Sequence, residues 1–145
     1  MSHSLAKVWI HAIWRTKGSL PLLKSLYENR IYNYIKDQFT EMECPVKAIN
    51  GVENHIHILF QLNQKRSIAE VMKQAKGSCS HYINSEDIIP QKFAWQTGYA
   101  AFSVSESIVP KVQSYIKKQK EHHKKQSFSE EYDSLLTLHK IVKRS

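Results

Sequence analysis

The chain has 145 residues, of which 41% are hydrophobic and 23% are charged, a composition that excludes an intrinsically disordered protein and suits one domain with its own core. Its 21 lysines and arginines outweigh 13 acidic residues, and the resulting net charge of +8 favours a polyanionic partner, either nucleic acid or an acidic membrane. The two cysteines, Cys44 and Cys79, form no CxxC pattern, which excludes a disulfide framework and a zinc knuckle and predicts reduced thiols.

The N-terminal stretch MSHSLAKVWIHAIW lacks the basic start and the long apolar core of a signal peptide. No window of the sequence approaches the roughly 18 apolar residues that a transmembrane helix needs. We therefore expect a soluble, cytoplasmic protein without a membrane partner.

The first half of the chain predicts a strand, a long helix and two further strands. Residues 5–14 (LAKVWIHAIW) are rich in β-branched and aromatic residues, which favours a strand. Apolar residues recur at helical spacing over residues 22–42. Residues 45–50 (PVKAIN) and 54–62 (NHIHILFQL) predict two strands joined by a turn.

The second half predicts helices with strand segments between them. Ser67 stands three residues before Glu70, a capping box that opens a helix extending to about Asn84. FAWQ and YAAFSV, residues 93–96 and 99–104, predict strand segments. A helix follows from Ser107, and a second capping box, at Ser127 and Glu130, precedes a short C-terminal helix.

The order β-α-β-β-α-β followed by helices predicts an α+β fold. We expect a ferredoxin-like, RRM-like antiparallel sheet with helices on one face, followed by one long helix and the short C-terminal helix. No internal repeat, low-complexity tract or linker interrupts the pattern, so residues 1–145 are expected to form a single domain.

The stretch HIHILF places two histidines on a predicted strand. Because side chains alternate on a strand, His55 and His57 share one face, while Ile56, Ile58 and Phe60 form an apolar face that suits burial under helices. Two neutral imidazoles about 7 Å apart at the backbone can bind one divalent metal ion. The alternative for a pattern this short is a half-exposed strand whose histidines bond to water.

A second group of polar residues lies on the predicted helix after residue 107. Tyr115 and Gln119 are four residues apart and share a helix face, with His122 or His123 one turn further on. A tyrosine can be a nucleophile towards a phosphate that a metal ion polarises, and the amide oxygen of Gln119 is a candidate metal ligand. The alternative is a tyrosine packed on the sheet and a solvated glutamine.

Taken together, these residues resemble the single-tyrosine transposases of the HUH endonuclease superfamily, which move insertion sequences as single-stranded DNA. The resemblance rests on His55-Ile56-His57 followed by YIKKQ, with VWIHAIWRTK, NHIHILF and FAWQTGYAAFSV in the same order, and it covers nearly the whole chain. Asn54 departs from it, because relatives often carry an aspartate before the first histidine.

The resemblance implies a mechanism and its cofactor. His55, His57 and Gln119 would hold one Mg²⁺ or Mn²⁺ ion, with His122 or His123 as competing third ligands. Tyr115 would attack single-stranded DNA beside a hairpin, leaving a 5′-phosphotyrosine and a free 3′-hydroxyl that can later rejoin the strand.

The resemblance also implies partners and a location. The protein would be a homodimer with composite active sites, each completed by the tyrosine helix of the other subunit. It would work in the cytoplasm of a bacterium or archaeon, associated with the nucleoid when bound to DNA.

Basic residues near the predicted site are candidates for DNA binding, because six lysines lie between residues 111 and 125 and further basic residues flank the first strand and the second helix. Taken singly, each could equally be a solvated surface charge. The candidates are Arg15, Lys17, Lys65, Arg66, Lys73, Lys76 and Lys118.

Three other functions are compatible with parts of the pattern. A non-catalytic module could bind single strands on its sheet, although no RNP-like motif is present. A small zinc hydrolase could use His55, His57 and His122 or His123. A domesticated relative could process chromosomal palindromes with the same chemistry, which the sequence alone does not separate from a mobile transposase.

Overall fold

Four runs of β-branched and aromatic residues form one antiparallel sheet in the computed structural model, which describes residues 4–122 and 127–139. The strand order is β2-β3-β1-β4, and every neighbouring pair is antiparallel. The predicted ferredoxin-like sheet is thereby confirmed. The strands are β1 (Trp9–Arg15), β2 (Val46–Val52), β3 (His55–Gln61) and β4 (Ala100–Val104).

Five α-helices accompany the sheet within the described residues. Two begin at predicted capping boxes, since the Ser67 and Ser127 hydroxyls accept hydrogen bonds from the backbone N–H of Glu70 and Glu130. The helices are α1 (Ser25–Glu41), α2 (Ile68–Ser85), α3 (Val109–Lys117), α4 (Gln119–His122) and α5 (Phe128–Leu138).

The apolar face of the sheet carries the main core. Ile56, Ile58 and Phe60 of β3 are fully buried beneath α1 and α2, as the strand alternation predicts. Both crossover helices thus lie on the predicted face.

The opposite face, which the sequence suggested would be open, is covered as well. Val112 and Ile116 of α3 pack on Leu59, and Leu135 and Leu136 of α5 pack on this face beside Ile13 and Phe102. The physical reason is that α3 and α5 have apolar stripes of their own that must be buried. The histidine face of β3 is therefore interior.

Two predicted elements differ from the structure. FAWQ forms no strand, and only Trp95 makes an isolated bridge to Thr16. The helix predicted to run from Ser107 through Gln119 ends at Lys117, and a separate short helix, α4, begins at Gln119. The sequence pattern spans both helices because helical periodicity does not register a break of one residue.

Cys44 and Cys79 are buried free thiols, and burial raises the pKa of Cys79 to about 12. Among residues 4–122 and 127–139, no helix has the length and apolarity needed to cross a bilayer.

Candidate active site

The two histidines of HIHILF lie at the centre of the sheet. β3 is an inner strand, on which His55 stands opposite Arg15 of β1 and His57 opposite Ile13. Both imidazoles are 0% exposed, because α3 and α5 cover this face. Their ring centroids are 5.2 Å apart, close enough for the two rings to serve one ion.

Glu131 of α5 completes the cluster. Its Oε1 lies 2.8 Å from Nε2 of His57, and its Oε2 lies 3.3 Å from Nε2 of His55. Glu131 is also 0% exposed, and the three side chains offer ligand atoms that all lie within 4.8 Å of one another. Among the described residues, this is the group of histidines and acids able to hold a metal ion.

The charge state of Glu131 is set by opposing effects. Burial alone raises the pKa of its carboxyl group, but hydrogen bonds to His55 and His57, the positive field of His57 and a hydrogen bond from Tyr115 together hold that pKa well below its usual range. Glu131 is therefore an anion inside the protein.

Tyr115, near the end of α3, faces this carboxylate. Its phenol donates a hydrogen bond of 2.7 Å to Oε1 of Glu131, and its ring centroid lies 5.8 Å from that of His57. Burial, this hydrogen bond and the carboxylate charge raise the pKa of Tyr115 well above its ordinary value, and Gln119 lowers it slightly. Tyr115 is half-exposed, whereas His55, His57 and Glu131 are fully buried, so it marks the open side of the cluster.

Gln119, the first residue of α4, is fully buried. Neither its amide oxygen nor its amide nitrogen reaches a hydrogen-bond partner in the described part of the chain, even though the amide lies close enough to act on Tyr115. Burying an amide that is not fully hydrogen-bonded costs about 1–3 kcal/mol, so the Gln119 amide oxygen is a candidate ligand for a metal ion.

Asn54 supplies the partner that orients His55. Its side-chain oxygen lies 2.7 Å from Nδ1 of His55. An amide oxygen only accepts hydrogen bonds, so Nδ1 carries a proton, and Nε2 is the ring nitrogen directed at Glu131, where it can contact the carboxylate or bind a metal ion. The departure at Asn54 therefore does not remove the supporting contact that a metal-binding histidine needs.

His57 is oriented by two further histidines. Its Nδ1 lies 2.9 Å from Nε2 of His11, and Nδ1 of His11 lies 2.8 Å from Nε2 of His139. Burial, followed by the fields of His57 and His139, lowers the pKa of His11, and burial lowers the pKa of His139 to about 4. His11 and His139 are therefore neutral near pH 7, so Nε2 of His11 can accept a hydrogen bond from Nδ1 of His57.

These observations fit a divalent metal ion. Two imidazole nitrogens, a buried carboxylate and a buried amide without partners converge beside Tyr115, and nitrogen with oxygen ligands suits Mg²⁺, Mn²⁺ or Zn²⁺. His123 and the side chain of His122 lie outside the described residues, so the alternative that one of them is the third ligand stays a prediction.

Sequence reasoning found His55, His57, Tyr115 and Gln119, which the structure brings together, but missed the carboxylate. Glu131 stands four residues before Leu135 on α5, on the stripe that becomes buried, and an acid at such a position was the available signal. His11 shares one face of β1 with Trp9 and Ile13, the face that packs against α3 and α5. A polar residue between two apolar ones on that face was the available signal for His11.

The basic candidates for DNA binding are spread over different surfaces. Arg15, Lys17, Lys65, Lys73 and Lys118 are exposed. Arg66 is half-buried and lines a shallow surface pocket together with Lys73. Because α2 and α3 lie on opposite sides of the sheet, the structure does not gather all of these residues into one patch.

Lys76 has a structural role. Its Nζ donates hydrogen bonds to the backbone oxygens of Gln96 and Gly98, at 2.9 and 2.6 Å. Partial burial lowers the pKa of this ammonium group. The side chain therefore fixes the loop before β4.

A ferredoxin-like sheet whose inner strand presents two histidines beside a helix-borne tyrosine is the arrangement expected of the class of single-tyrosine HUH proteins. The sequence model of the family described as "Transposase IS200 like" matches residues 4–119, most of the chain. The chain belongs to the family of IS200-like transposases. No curated protein matches the sequence.

Solved structures support the same fold. A candidate transposase from Deinococcus radiodurans R1 superposes with a TM-score of 0.66 at 21% identity, over 82% of this chain and 95% of that one. A REP-associated tyrosine transposase bound to a REP hairpin superposes with a TM-score of 0.62 at 12% identity, over 85% of this chain and 74% of the other.

Proposed function

We propose that this chain, acting as a single HUH domain over residues 1–145, is a metal-dependent single-strand DNA endonuclease and strand transferase. It would cut and rejoin DNA beside a hairpin through a 5′-phosphotyrosine intermediate. The observation that carries the proposal is the 2.7 Å hydrogen bond from the Tyr115 phenol to Glu131, within a cluster that also holds two histidines. A nucleophile, a proton acceptor and metal ligands thus lie within one site.

The protein's own residues can carry out the cleavage step. Tyr115 attacks the phosphorus, so a phenol oxygen–phosphorus bond forms while the bond from phosphorus to the 3′-oxygen breaks. The phenol proton passes to the Glu131 carboxylate, 2.7 Å away, and the departing oxygen becomes a 3′-hydroxyl by taking up a proton. Rejoining is the reverse attack, and because one phosphoester bond replaces another, ATP is not needed.

The raised pKa of Tyr115 makes the proton acceptor necessary. The phenol is fully protonated near neutral pH and is a poor nucleophile until its proton leaves. A Mg²⁺ or Mn²⁺ ion held by His55, His57 and an oxygen of Glu131 or Gln119 would stabilise the negative charge that develops on the phosphate. Asn54 and His11 keep the two imidazoles oriented with Nε2 towards the cluster.

The proposed substrate is single-stranded DNA with hairpin ends. One similar structure holds a REP hairpin, and we extend a hairpin partner to this chain because its charge of +8 suits a phosphate backbone. The domesticated alternative, which processes chromosomal palindromes, uses the same site. A non-catalytic module is less well supported, because helices cover the sheet face that such modules leave open.

A covalent-adduct assay tests the proposal. The protein is mixed with labelled single-stranded hairpin oligonucleotides with randomised flanks, in Mg²⁺, in Mn²⁺ or in EDTA, and run on a denaturing gel. We expect a metal-dependent shifted band that Tyr115→Phe abolishes and His57→Ala strongly reduces. Tyr34→Phe, at a half-buried tyrosine of α1, is the matched control. Salt-sensitive DNA binding without any adduct would transfer support to the non-catalytic module.

A further inference from the structure

A pocket of about 260 Å³ adjoins the candidate active site without being part of it. It lies where β1 ends and β4 begins, against α5. Arg15 and Ile13, which line it, stand opposite His55 and His57 in the sheet. Leu135, also in the lining, follows Glu131 by one helical turn. The pocket therefore flanks the place where a scissile phosphate would lie.

The lining combines apolar surfaces with aromatic rings. Ile13 and Leu135 are nearly inaccessible and form the apolar floor. Tyr99 and Tyr132 line the same pocket and are 42% and 41% exposed, although large aromatic side chains are usually buried or partnered. Unpaired bases commonly stack on exposed aromatic rings that lie near a positive charge, and here Arg15, at the end of β1, supplies that charge.

Polar groups occupy the rim. Gln96 and Thr97 line the mouth, and Arg15 brings a positive charge to it. A nucleobase has flat apolar faces and a hydrogen-bonding edge, and it is joined to a phosphate that a cation can contact. The volume is below the roughly 300–1,000 Å³ of pockets that take drug-sized ligands, which suits one base and not a larger group.

The pocket is held in shape before any ligand arrives. The backbone N–H of Gln96 donates to the Arg15 oxygen at 2.8 Å, and the Gln96 side chain accepts from the backbone N–H of Gly18 at 3.1 Å. Lys76 holds the oxygens of Gln96 and Gly98 from the other side. Gly98 has a φ of +90°, a conformation that favours glycine. A loop fixed in this way loses little entropy on binding.

We propose that this pocket receives one unpaired base of the DNA strand next to the scissile phosphate, stacked against Tyr99 and Tyr132. The proposal rests on the proposed function, since it takes single-stranded DNA as the substrate. It adds a recognition site to the chemistry, because a base fixed here sets which phosphate is presented to Tyr115.

Photo-cross-linking in EDTA tests the pocket without requiring cleavage. A random single-stranded pool containing 5-iododeoxyuridine is bound to the full-length protein and irradiated, and the linked peptides are identified by mass spectrometry. We expect links at Tyr99 or Tyr132, because iodouracil reacts with stacked aromatic rings. The Tyr99→Ala, Tyr132→Ala variant should lose these links and bind the pool about fivefold to a hundredfold more weakly. Leu26→Ala, at another exposed apolar side chain, should do neither.

Conservative variants separate stacking from folding. Tyr99→Phe with Tyr132→Phe keeps both rings, so it should retain the affinity of the wild type. Links confined to other residues, or undiminished binding by the double alanine variant with its fold intact by circular dichroism, would overturn the proposal. If the double alanine variant without DNA has a different oligomeric state from the wild type in solution, the pocket would be assigned to self-association instead. The adduct assay is a separate measurement. If the wild type forms the adduct but gives no links at Tyr99 or Tyr132, only the proposed base-binding pocket is refuted. If the wild type binds no single-stranded DNA at all, both the pocket and the proposed function are refuted.

Discussion

The carboxylate of Glu131 connects the two histidines of the cluster with Tyr115. It lies between His57 and Tyr115, 2.8 Å from one and 2.7 Å from the other. In the proposed mechanism, one side chain would therefore act in two ways, as a ligand to the metal ion and as the acceptor of the phenol proton. Gln119, buried without hydrogen-bond partners among the described residues, can serve only as a ligand, because a neutral amide does not accept a proton near neutral pH.

Substitutions at these two positions should therefore have different effects. Glu131→Gln keeps the shape but removes the charge, and we expect adduct formation to fall by about 10²–10⁴-fold even at saturating Mn²⁺, because the general base is lost. Gln119→Ala should weaken metal binding while leaving the rate at saturating Mn²⁺ close to that of the wild type. Single-turnover adduct rates over a Mn²⁺ titration measure both quantities.

The matched control for the charge is Glu130→Gln, at the exposed neighbour of Glu131 on α5. It should leave both the saturated rate and the metal affinity near those of the wild type. If Glu131→Gln is fully rescued by added Mn²⁺, the carboxylate is only a ligand and the proton leaves by another route.

His11 acts on the site through His57. Its Nε2 lies 2.9 Å from Nδ1 of His57, and supporting contacts of this kind are typically worth 10–100-fold in metal affinity. We expect His11→Phe to weaken Mn²⁺ binding by about 10-fold or more, as measured by isothermal titration calorimetry. His81→Phe, at an exposed histidine of α2, should have no effect.

A purely structural role for His11 is distinguishable. Nitrogen NMR shifts of His57 report which ring nitrogen carries the proton, and metal binding to the wild type should place it on Nδ1. His11→Phe should leave this tautomer less fully populated. Unchanged affinity together with an unchanged tautomer would show that His11 only fills space.

At the scale of elements, the β2–β3 hairpin positions His55 through a close backbone approach. A Cβ on Gly51 would lie 2.2 Å from the carbonyl oxygen of His55 and 3.0 Å from Cα of Ile56. Neither atom belongs to a flexible side chain, so the strands must separate to accommodate an added methyl group.

Gly51→Ala should accordingly lower the free energy of unfolding by about 1–3 kcal/mol, as measured by urea denaturation, and weaken metal binding by displacing His55. Gly77→Ala is the matched control, because a Cβ there meets no atom within 4 Å and the residue lies exposed on α2. It should stabilise the protein by about 0.5–1 kcal/mol. Equal effects of the two substitutions would contradict the steric explanation.

Local patterns were sufficient to predict most elements. Alternation in HIHILF predicted the strand β3 and its apolar face, and helical periodicity predicted the crossover helices α1 and α2. Each of these patterns involves only residues of a single element. The break at Lys118 was not predictable, because the residues on both sides keep helical spacing. The role of Glu131 was missed because it depends on where α5 packs. Glu131 contacts His55 and His57, which lie 74 positions or more away in the sequence, and no local pattern records such a contact.

At the scale of the whole molecule, the chain brings its own tyrosine to its own histidines. The resemblance predicted composite sites in a homodimer, with the tyrosine helix supplied by the other subunit. Within one chain, however, Tyr115 already contacts Glu131, and α3 packs on the sheet through Val112 and Ile116. Asn50 of β2 fastens the end of this helix further by donating hydrogen bonds to the backbone oxygens of Ile116 and Lys117, each at 3.1 Å.

Exchange of α3 between subunits would expose this apolar packing before it could be restored in a partner. We therefore expect sites that are complete within one chain, and mixing two inactive variants measures this directly. Tyr115→Phe lacks the proposed nucleophile but keeps the proposed metal ligands, whereas His57→Ala keeps the proposed nucleophile. If each site belongs to one chain, the mixture of the two variants stays inactive in the adduct assay. Diluting the wild-type protein with either variant should then lower the activity only in proportion to the dilution. If helices are exchanged, mixed dimers form one intact site and adduct formation returns, up to about a quarter to a half of the wild-type level for random pairing of two subunits.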